Sequence, residues 1–186
     1  MIHLINSGQR SLGVTFPTED QAKVVLWSPT AKHVAIKIYG NQSAIPLKQE
    51  VLGYWCLTTS QIKPGDLYTY ILDGERECPD PTSLSQPQGV HGPSQAVDTS
   101  AFHWEDQCWV NPALDSYLLY EVHTGTFTEK GTFQALEKKL DYLKALGVNA
   151  IEIMPVAQFS DSRNWGYDGV YTYAVQNSYG GAAGLQ

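Results

Sequence analysis

The sequence predicts a β-sandwich followed by the opening β-α-β segment of a parallel α/β fold, on three observations. From Gly13 to Trp104, short alternating strands recur between turn signals with no helical period. A proline- and glycine-rich stretch from Cys78 to Pro93 lacks periodicity, and after Asn111-Pro112 the pattern becomes strand, helix, strand.

In the first region, Lys23-Val24-Val25-Leu26-Trp27 is followed by the turn Ser28-Pro29-Thr30 and by the alternating run His33 to Tyr39. Val34, Ile36 and Ile38 share one face of that second run, so a period of two sends them into a core while Lys37 meets water. Tyr54 to Thr58 and Tyr68 to Leu72 read as further strands, with Pro64-Gly65-Asp66 and Asp73-Gly74 as turns. Regular strand spacing without helices predicts an immunoglobulin-like sandwich. Between Cys78 and Pro93 the prolines suit neither strand nor helix interior, and the expectation is an ordered connector pinned by Val90, Val97, Phe102, Trp104 and Trp109.

In the second region, Tyr117 to His123 is β-rich, Thr132 to Leu146 is helical, and Val148 to Met154 is β-rich again. Phe133, Leu136, Leu140 and Leu143 recur at helical spacing, with Thr132 placed as N-cap and Gly147 as terminator. The nearly all-apolar second strand is expected to be buried on both faces, as parallel strands joined by a right-handed crossover are.

Composition narrows the function. A hydrophobic share of 42% and a charged share of 17% are those of a folded globular chain. A net charge of −7, from 12 basic and 19 acidic residues, argues against nucleic acid as partner. Cys56, Cys78 and Cys108 are odd in number and widely spaced, suggesting neither a disulfide framework nor a zinc site, and free thiols fit a reducing cytoplasm. Met1 to Gln9 lacks an export signal, and no window has the roughly 18 apolar residues that crossing a bilayer needs. No metal, cofactor or membrane partner is implied, and the oligomeric state is left open.

The densest candidate for chemistry is Asn164-Trp165-Gly166-Tyr167-Asp168-Gly169-Val170, after the second parallel strand and the loop Pro155 to Arg163. Loops at the carboxyl ends of barrel strands build active sites. Aromatic rings stack on sugar faces while Asn, Asp and Arg bond hydroxyls. The residue types equally fit packing of Trp165, Tyr167 and Tyr171 on a rim, with Asp168 capping a turn.

Gly147 to Val156 followed by Asn164 to Gly169 resembles the second-strand region of the α-amylase superfamily of glycoside hydrolases. Tyr120 to Thr128 with Gly131-Thr132-Phe133, and the connector segments Pro79-Asp80-Pro81 and Gly89 to Ser94, resemble its maltooligosyltrehalose trehalohydrolases. The resemblance runs in order from Gly13 to Leu185. It implies a carbohydrate-binding-module-like sandwich over residues 1–104, then over 105–186 a connector and the start of a (β/α)8 barrel. It also implies action on α-1,4-glucan, releasing trehalose from maltooligosyltrehalose. A branching enzyme, which transfers glucan, and a non-catalytic glucan-binding module are the competing readings.

By the same resemblance, Tyr167 stacks on the sugar before the scissile bond, and Trp165, Asn164 and Asp168 flank it as substrate-binding residues. His123, ending the first strand, either reaches the same pocket or is satisfied by a neighbouring backbone carbonyl. Glu121 and Glu152 lie inside strands, where buried or supporting ion pairs are expected rather than catalysis. In the sandwich, core packing is the expected role of Trp27, Tyr54, Trp55 and Tyr68, with an outward glucan platform as the alternative.

No residue is assigned a catalytic role. Retaining glycosidases need a carboxylate nucleophile and an acid about 5 Å apart. In the family these follow the fourth and fifth barrel strands, whereas the motif order here reaches only Ser178 to Gln186, the expected entry to a second helix. With 186 residues against roughly 250 for a whole barrel, the chain is expected to be an amino-terminal fragment, inactive alone.

Overall fold

The computed structural model describes residues 10–186; Met1 to Gln9, read above for an export signal, lie outside the described residues. The chain divides into two compact units, one holding residues up to Ser83 together with Pro93–Asp98, the other holding Leu84–Gly92 and Thr99–Gln186.

The first unit contains β1 (Gly13–Thr18), β2 (Gln21–Trp27), β3 (Val34–Ile38), β4 (Ile45–Pro46), β5 (Lys48–Gln49), β6 (Tyr54–Thr59), β7 (Leu67–Leu72), β8 (Arg76–Cys78) and β9 (Ser94–Gln95). They form two antiparallel sheets, β1-β2-β6-β5 and β4-β3-β7-β8, with β9 also paired to β7. Both sheets feed one core, in which Val24, Leu26 and Trp55 meet Val34, Ile36, Ile38, Tyr68 and Tyr70.

The alternation of Val34, Ile36 and Ile38 is as expected, but two aromatics are not in the core. Trp27 is 56% exposed and Tyr54 37% exposed. The reason is register: Ala22, Val24 and Leu26 point inward, so a period of two turns Trp27 outward. Leu26 pairs with Trp55 on the inner face, and the next pair along, Trp27 with Tyr54, stands on the outer one. The Trp27 indole N–H donates to the Leu52 carbonyl at 3.1 Å.

The connector is ordered chiefly by polar groups: of the expected apolar anchors, Val90 and Val97 are half-buried, whereas Phe102, Trp104 and Trp109 are exposed. Asp80 is fully buried, its carboxylate accepting from Tyr68 at 2.7 Å and from the backbone N–H and hydroxyl of Thr82 at 2.8 Å each. Burial pushes the Tyr68 phenol well above its ordinary value, which keeps it a donor to that carboxylate. Further along, Tyr171 donates to the Val90 carbonyl at 3.0 Å and Asn177 to that of Pro87 at 3.2 Å.

The second unit contains β10 (Leu119–Val122), α1 (Thr124–Phe127), α2 (Phe133–Glu137), α3 (Leu140–Ala145), β11 (Ala150–Ile153), β12 (Ala157–Gln158), β13 (Tyr171–Val175) and α4 (Gly181–Leu185). β10 and β11 pair in parallel, and β12 and β13 form an antiparallel pair. Among the described residues no closed barrel is formed, and no helix is long and apolar enough to cross a membrane.

The crossover helix is interrupted. Thr132 caps its start, its hydroxyl accepting from Ala135 N–H at 3.3 Å, and Gly147 ends it at φ 98°, with Val148 N–H reaching back to Leu143 O. Between these ends Lys138 and Lys139 have ψ near zero, and Lys139 N–H bonds the Leu136 carbonyl three residues back, so α2 and α3 are separate segments. Phe133, Leu136 and Leu143 are buried, but Leu140, at the start of α3, is 42% exposed and lines an open cleft with Trp109 and Ile151. β11 is likewise not buried on both faces: Glu152 and Ile153 are exposed, because the parallel pair is two strands wide among the described residues.

Replacing the fully buried Ile36 by Ala should lower unfolding free energy by about 2–5 kcal/mol. Trp27→Ala, removing an outward cross-strand partner, should cost about 1 kcal/mol or less. Denaturant melts of the two variants test the inward and outward assignments.

Candidate functional site

The site grows from the carboxyl end of β10. Val122 is buried, which fixes the strand end, and the next residue, His123, starts α1 by accepting on its carbonyl from the N–H groups of Thr126 and Phe127 at 3.1 and 3.0 Å. Its imidazole Nε2 lies 2.7 Å from the Asn164 carbonyl, and Nδ1 lies 3.2 Å from the Thr126 hydroxyl. A carbonyl only accepts, so Nε2 carries the proton, and in the neutral ring Nδ1 accepts from Thr126.

Rings hold the imidazole from two sides. Trp165 lies edge-to-face with it at 6.0 Å between centroids and Tyr179 at 6.1 Å. Tyr179 is itself packed against Phe133 at 5.9 Å and Phe159 at 5.7 Å, so a column of rings runs from the buried cluster out to Trp165. Each such pair contributes about 0.5–1.5 kcal/mol beyond area burial. Desolvation raises the Tyr179 phenol above its ordinary value, keeping it neutral inside this column.

The loop is self-bonded. Asn164 Oδ1 accepts from Gly166 N–H at 2.7 Å, and its Nδ2 donates to Asp168 Oδ2 at 2.9 Å. This asparagine-centred turn explains why a short polar side chain stands at the loop's start. Gly166 has φ 96°, and a Cβ there would come within 2.3 Å of the Pro155 carbonyl oxygen. Behind the loop, Gln158 and Gln176 are fully buried and spend their amides on backbone: Phe159 N–H donates to Gln176 Oε1, Asn177 N–H donates to Gln158 Oε1, and Gln176 donates to the Asp161 carbonyl, each at 2.9 Å.

The result is an open cleft of about 400 Å³ lined by His123, Gly125, Thr126, Ser162, Arg163, Asn164 and Trp165. Three of the five expected site residues, His123, Asn164 and Trp165, therefore meet there. Tyr167 and Asp168 do not line it. Tyr167 stands 71% exposed, and Asp168 is tied to Asn164. Rim packing does not describe Trp165 or Tyr167, since Trp165 is 73% exposed, but it does describe the buried Tyr171. For His123 both placements hold: its ring lines the cleft, and its Nε2 is satisfied by a backbone carbonyl that belongs to the loop itself.

Glu121 and Glu152 correct a further expectation. They face each other across the parallel pair, both are exposed, and neither joins an ion pair among the described residues. Their strand face is open, so water solvates both charges. Arg163, Ser162 and Thr126 were not singled out as site residues. Arg163 was visible in the sequence as the cation next to the aromatic motif, whereas Thr126 gains its place only because α1 curls under His123.

Residues 93–186 match the family model described as alpha amylase, catalytic domain, and residues 11–87 match carbohydrate-binding module 48, the isoamylase N-terminal domain. The first match takes in half of the chain, and the protein belongs to the α-amylase family. A malto-oligosyltrehalose trehalohydrolase from Saccharolobus solfataricus is 48% identical over 90% of this chain and 30% of its own length. A 1,4-alpha-glucan branching enzyme from Clostridium perfringens is 28% identical over 97% of this chain and 31% of its own. A crystal structure assigned as an alpha amylase from Salmonella typhimurium superposes with a TM-score of 0.87 at 37% identity, over 92% of this chain and 29% of that one. The chain thus spans about 30% of the length of these relatives.

Gly166→Ala should displace the loop, because both the positive φ and the Pro155 carbonyl resist a Cβ. The expected outcome is a stability loss of about 1–3 kcal/mol, with faster amide exchange at Gly166 and Asp168 positions than at Leu143, read by hydrogen exchange.

Proposed function

We propose that these residues supply a sandwich module and a substrate-binding loop to a glycoside hydrolase that cleaves the α-1,4 bond beside the trehalose unit of maltooligosyltrehalose. The observation that carries this reading is the cleft at His123, in which an exposed indole stands beside an arginine and polar side chains. Trp165 offers a face for a pyranose, and the Arg163 guanidinium, without a protein partner among the described residues, offers donors for its hydroxyls. The name and 48% identity of the Saccharolobus relative support the trehalohydrolase reading over a branching enzyme, for which the relative is 28% identical.

In this reading Trp165 and Tyr167 stack on sugar, Asn164 and Asp168 hold the loop that presents them, and His123 fixes that loop to the end of β10. The substrate is an α-glucan or maltooligosyltrehalose. Among the described residues no Asp or Glu lines the cleft, so the residues that line it bind sugar and do not cleave it. Residues 1–104 act as the immunoglobulin-like, carbohydrate-binding-module-like domain, a reading supported by two antiparallel sheets over one core. Residues 105–186 act as the connector and the start of a (β/α)8 catalytic domain, supported by the parallel β10–β11 pair. A cytoplasmic location is supported by three free cysteines. A second reading, glucan binding by the sandwich itself, is favoured by the outward pair Trp27 and Tyr54.

The 186-residue chain should bind maltooligosaccharides and release no trehalose from maltooligosyltrehalose. Trp165→Ala should weaken binding by about 1–3 kcal/mol, roughly 5- to 150-fold, with Tyr167→Ala acting in the same direction. Calorimetry reads the binding. Turnover abolished by mutating a carboxylate within the chain would contradict the assignment, and loss of binding on Trp27→Ala but not Trp165→Ala would favour the second reading.

A further inference from the structure

The outer face of the sandwich carries an apolar patch that the core does not use. Trp27 and Tyr54 stand there as a cross-strand pair, and the turn before β6 adds Val51 and Leu52, which are 78% and 83% exposed. All four belong to the first unit. Hydrogen bonds fix the turn beside the rings: the Trp27 indole N–H donates to Leu52 O at 3.1 Å, Ser28 N–H to Gly53 O at 2.9 Å, and Glu50 N–H to Tyr54 O at 2.8 Å.

Leu52 is the unusual member. It is held at φ 59°, a left-handed conformation that residues with a bulky side chain seldom adopt. The neighbouring Gly53, at φ 81° and with Pro29 Cα 2.5 Å from where a Cβ would stand, is explained by its backbone alone. A turn that had only to close would take glycine or asparagine at position 52 as well. A leucine that accepts the strained backbone and leaves its side chain in water is explained by an apolar surface that it meets.

A glucan is the competing occupant, and it needs donors and acceptors beside the rings for its hydroxyls. Val51 and Leu52 supply none, and the indole N–H is already given to Leu52 O. Two rings and two aliphatic side chains inside a charged rim have the composition of a protein contact. The rim selects the partner. Lys48, opposite Cys56 and so on the same face as Tyr54, is bonded to Glu50 at 3.0 Å, and both side chains are exposed. A two-fold axis through the patch sets each lysine opposite the other copy's glutamate. The paired rim adds no net charge, in a chain whose net charge of −7 otherwise makes its copies repel. We propose that this patch is a self-association surface, on which a second copy of the chain docks as an isologous pair with Leu52 of each against the Trp27 ring of the other. The contact is independent of the sugar reading of the Trp165 cleft. Four exposed side chains per copy place it at the low end of interface size, so the pair is weak, with a dissociation constant of about 10–100 μM.

The test is sedimentation equilibrium of the 186-residue chain across about 5 to 500 μM, which should show a monomer–dimer equilibrium. Leu52→Asn suits the left-handed backbone, so it should weaken the dimer about tenfold or more while leaving the melting temperature unchanged or higher. Glu50→Lys should also weaken it, and adding Lys48→Glu to that variant should restore it. Ile153→Lys, on the exposed apolar surface of the second unit, should leave it intact. A chain that stays monomeric, a dimer kept in Leu52→Asn or lost in Ile153→Lys, or a charge swap that restores nothing overturns the proposal. So does a Trp27 indole N–H resonance that moves with added maltohexaose and not with protein concentration, which assigns the patch to glucan.

Discussion

The hydrogen bond from His123 Nε2 to the Asn164 carbonyl is the contact on which the site depends. It joins the end of β10 to a loop that begins some forty residues later, with the crossover helices and β11 between them. Without it, the exposed Trp165 would have its own ring contact and the internal bonds of Asn164 to hold it, and nothing polar to fix its distance from the strand. A single such bond contributes about 0.5–1.5 kcal/mol, so it selects among loop positions and does not by itself hold the fold. The fold is held by the ring column behind it, where Tyr179 packs on Phe133 and Phe159.

Much of this was legible because it follows from local rules. Alternation at Val34, Ile36 and Ile38 placed β3, the Thr132 and Gly147 signals bounded the crossover, and nearly continuous apolar residues marked β11 as a parallel partner. The motif Asn164 to Gly169 marked the loop, and its order after β11 placed it near His123. What local rules did not carry was partnership. Which face of β2 is inner depends on Trp55 across the sheet, so Trp27 was misplaced although its strand was found. The break at Lys138 and Lys139 has no glycine or proline to announce it, and it turns Leu140 away from its expected place. The pairing of His123 with Asn164, and the absence of Tyr167 and Asp168 from the cleft, are outcomes of loop geometry that residue types do not specify.

The second unit also carries apolar surface facing water. Leu119, Leu140 and Ile153 are exposed on or beside the parallel pair, with Phe102 and Leu185 in the same condition. Among the described residues the β10–β11 pair has an open edge on each side, and parallel strands are ordinarily covered on both faces. The first unit differs, because its two sheets cover one another over a core of aliphatic and aromatic side chains. Stability is therefore unequally distributed, and amide protection should be deeper at Ile36 and Tyr68 than at Leu119 or Ile153. The loop from Asn164 to Gly169 belongs to the less protected unit, and its order rests on the imidazole clasp and on the buried amides of Gln158 and Gln176.

The clasp makes a definite statement about one proton. Since Asn164 offers only a carbonyl, the neutral His123 ring must carry its hydrogen on Nε2 and leave Nδ1 to accept from Thr126. Long-range proton–nitrogen correlation on the labelled histidines, at a pH where the ring is neutral, reads the tautomer directly. A single Nε2–H form of His123 with a slowly exchanging ring proton is expected. An Nδ1–H form, or a rapidly averaging mixture of the two, would contradict the clasp and with it the placement of Trp165.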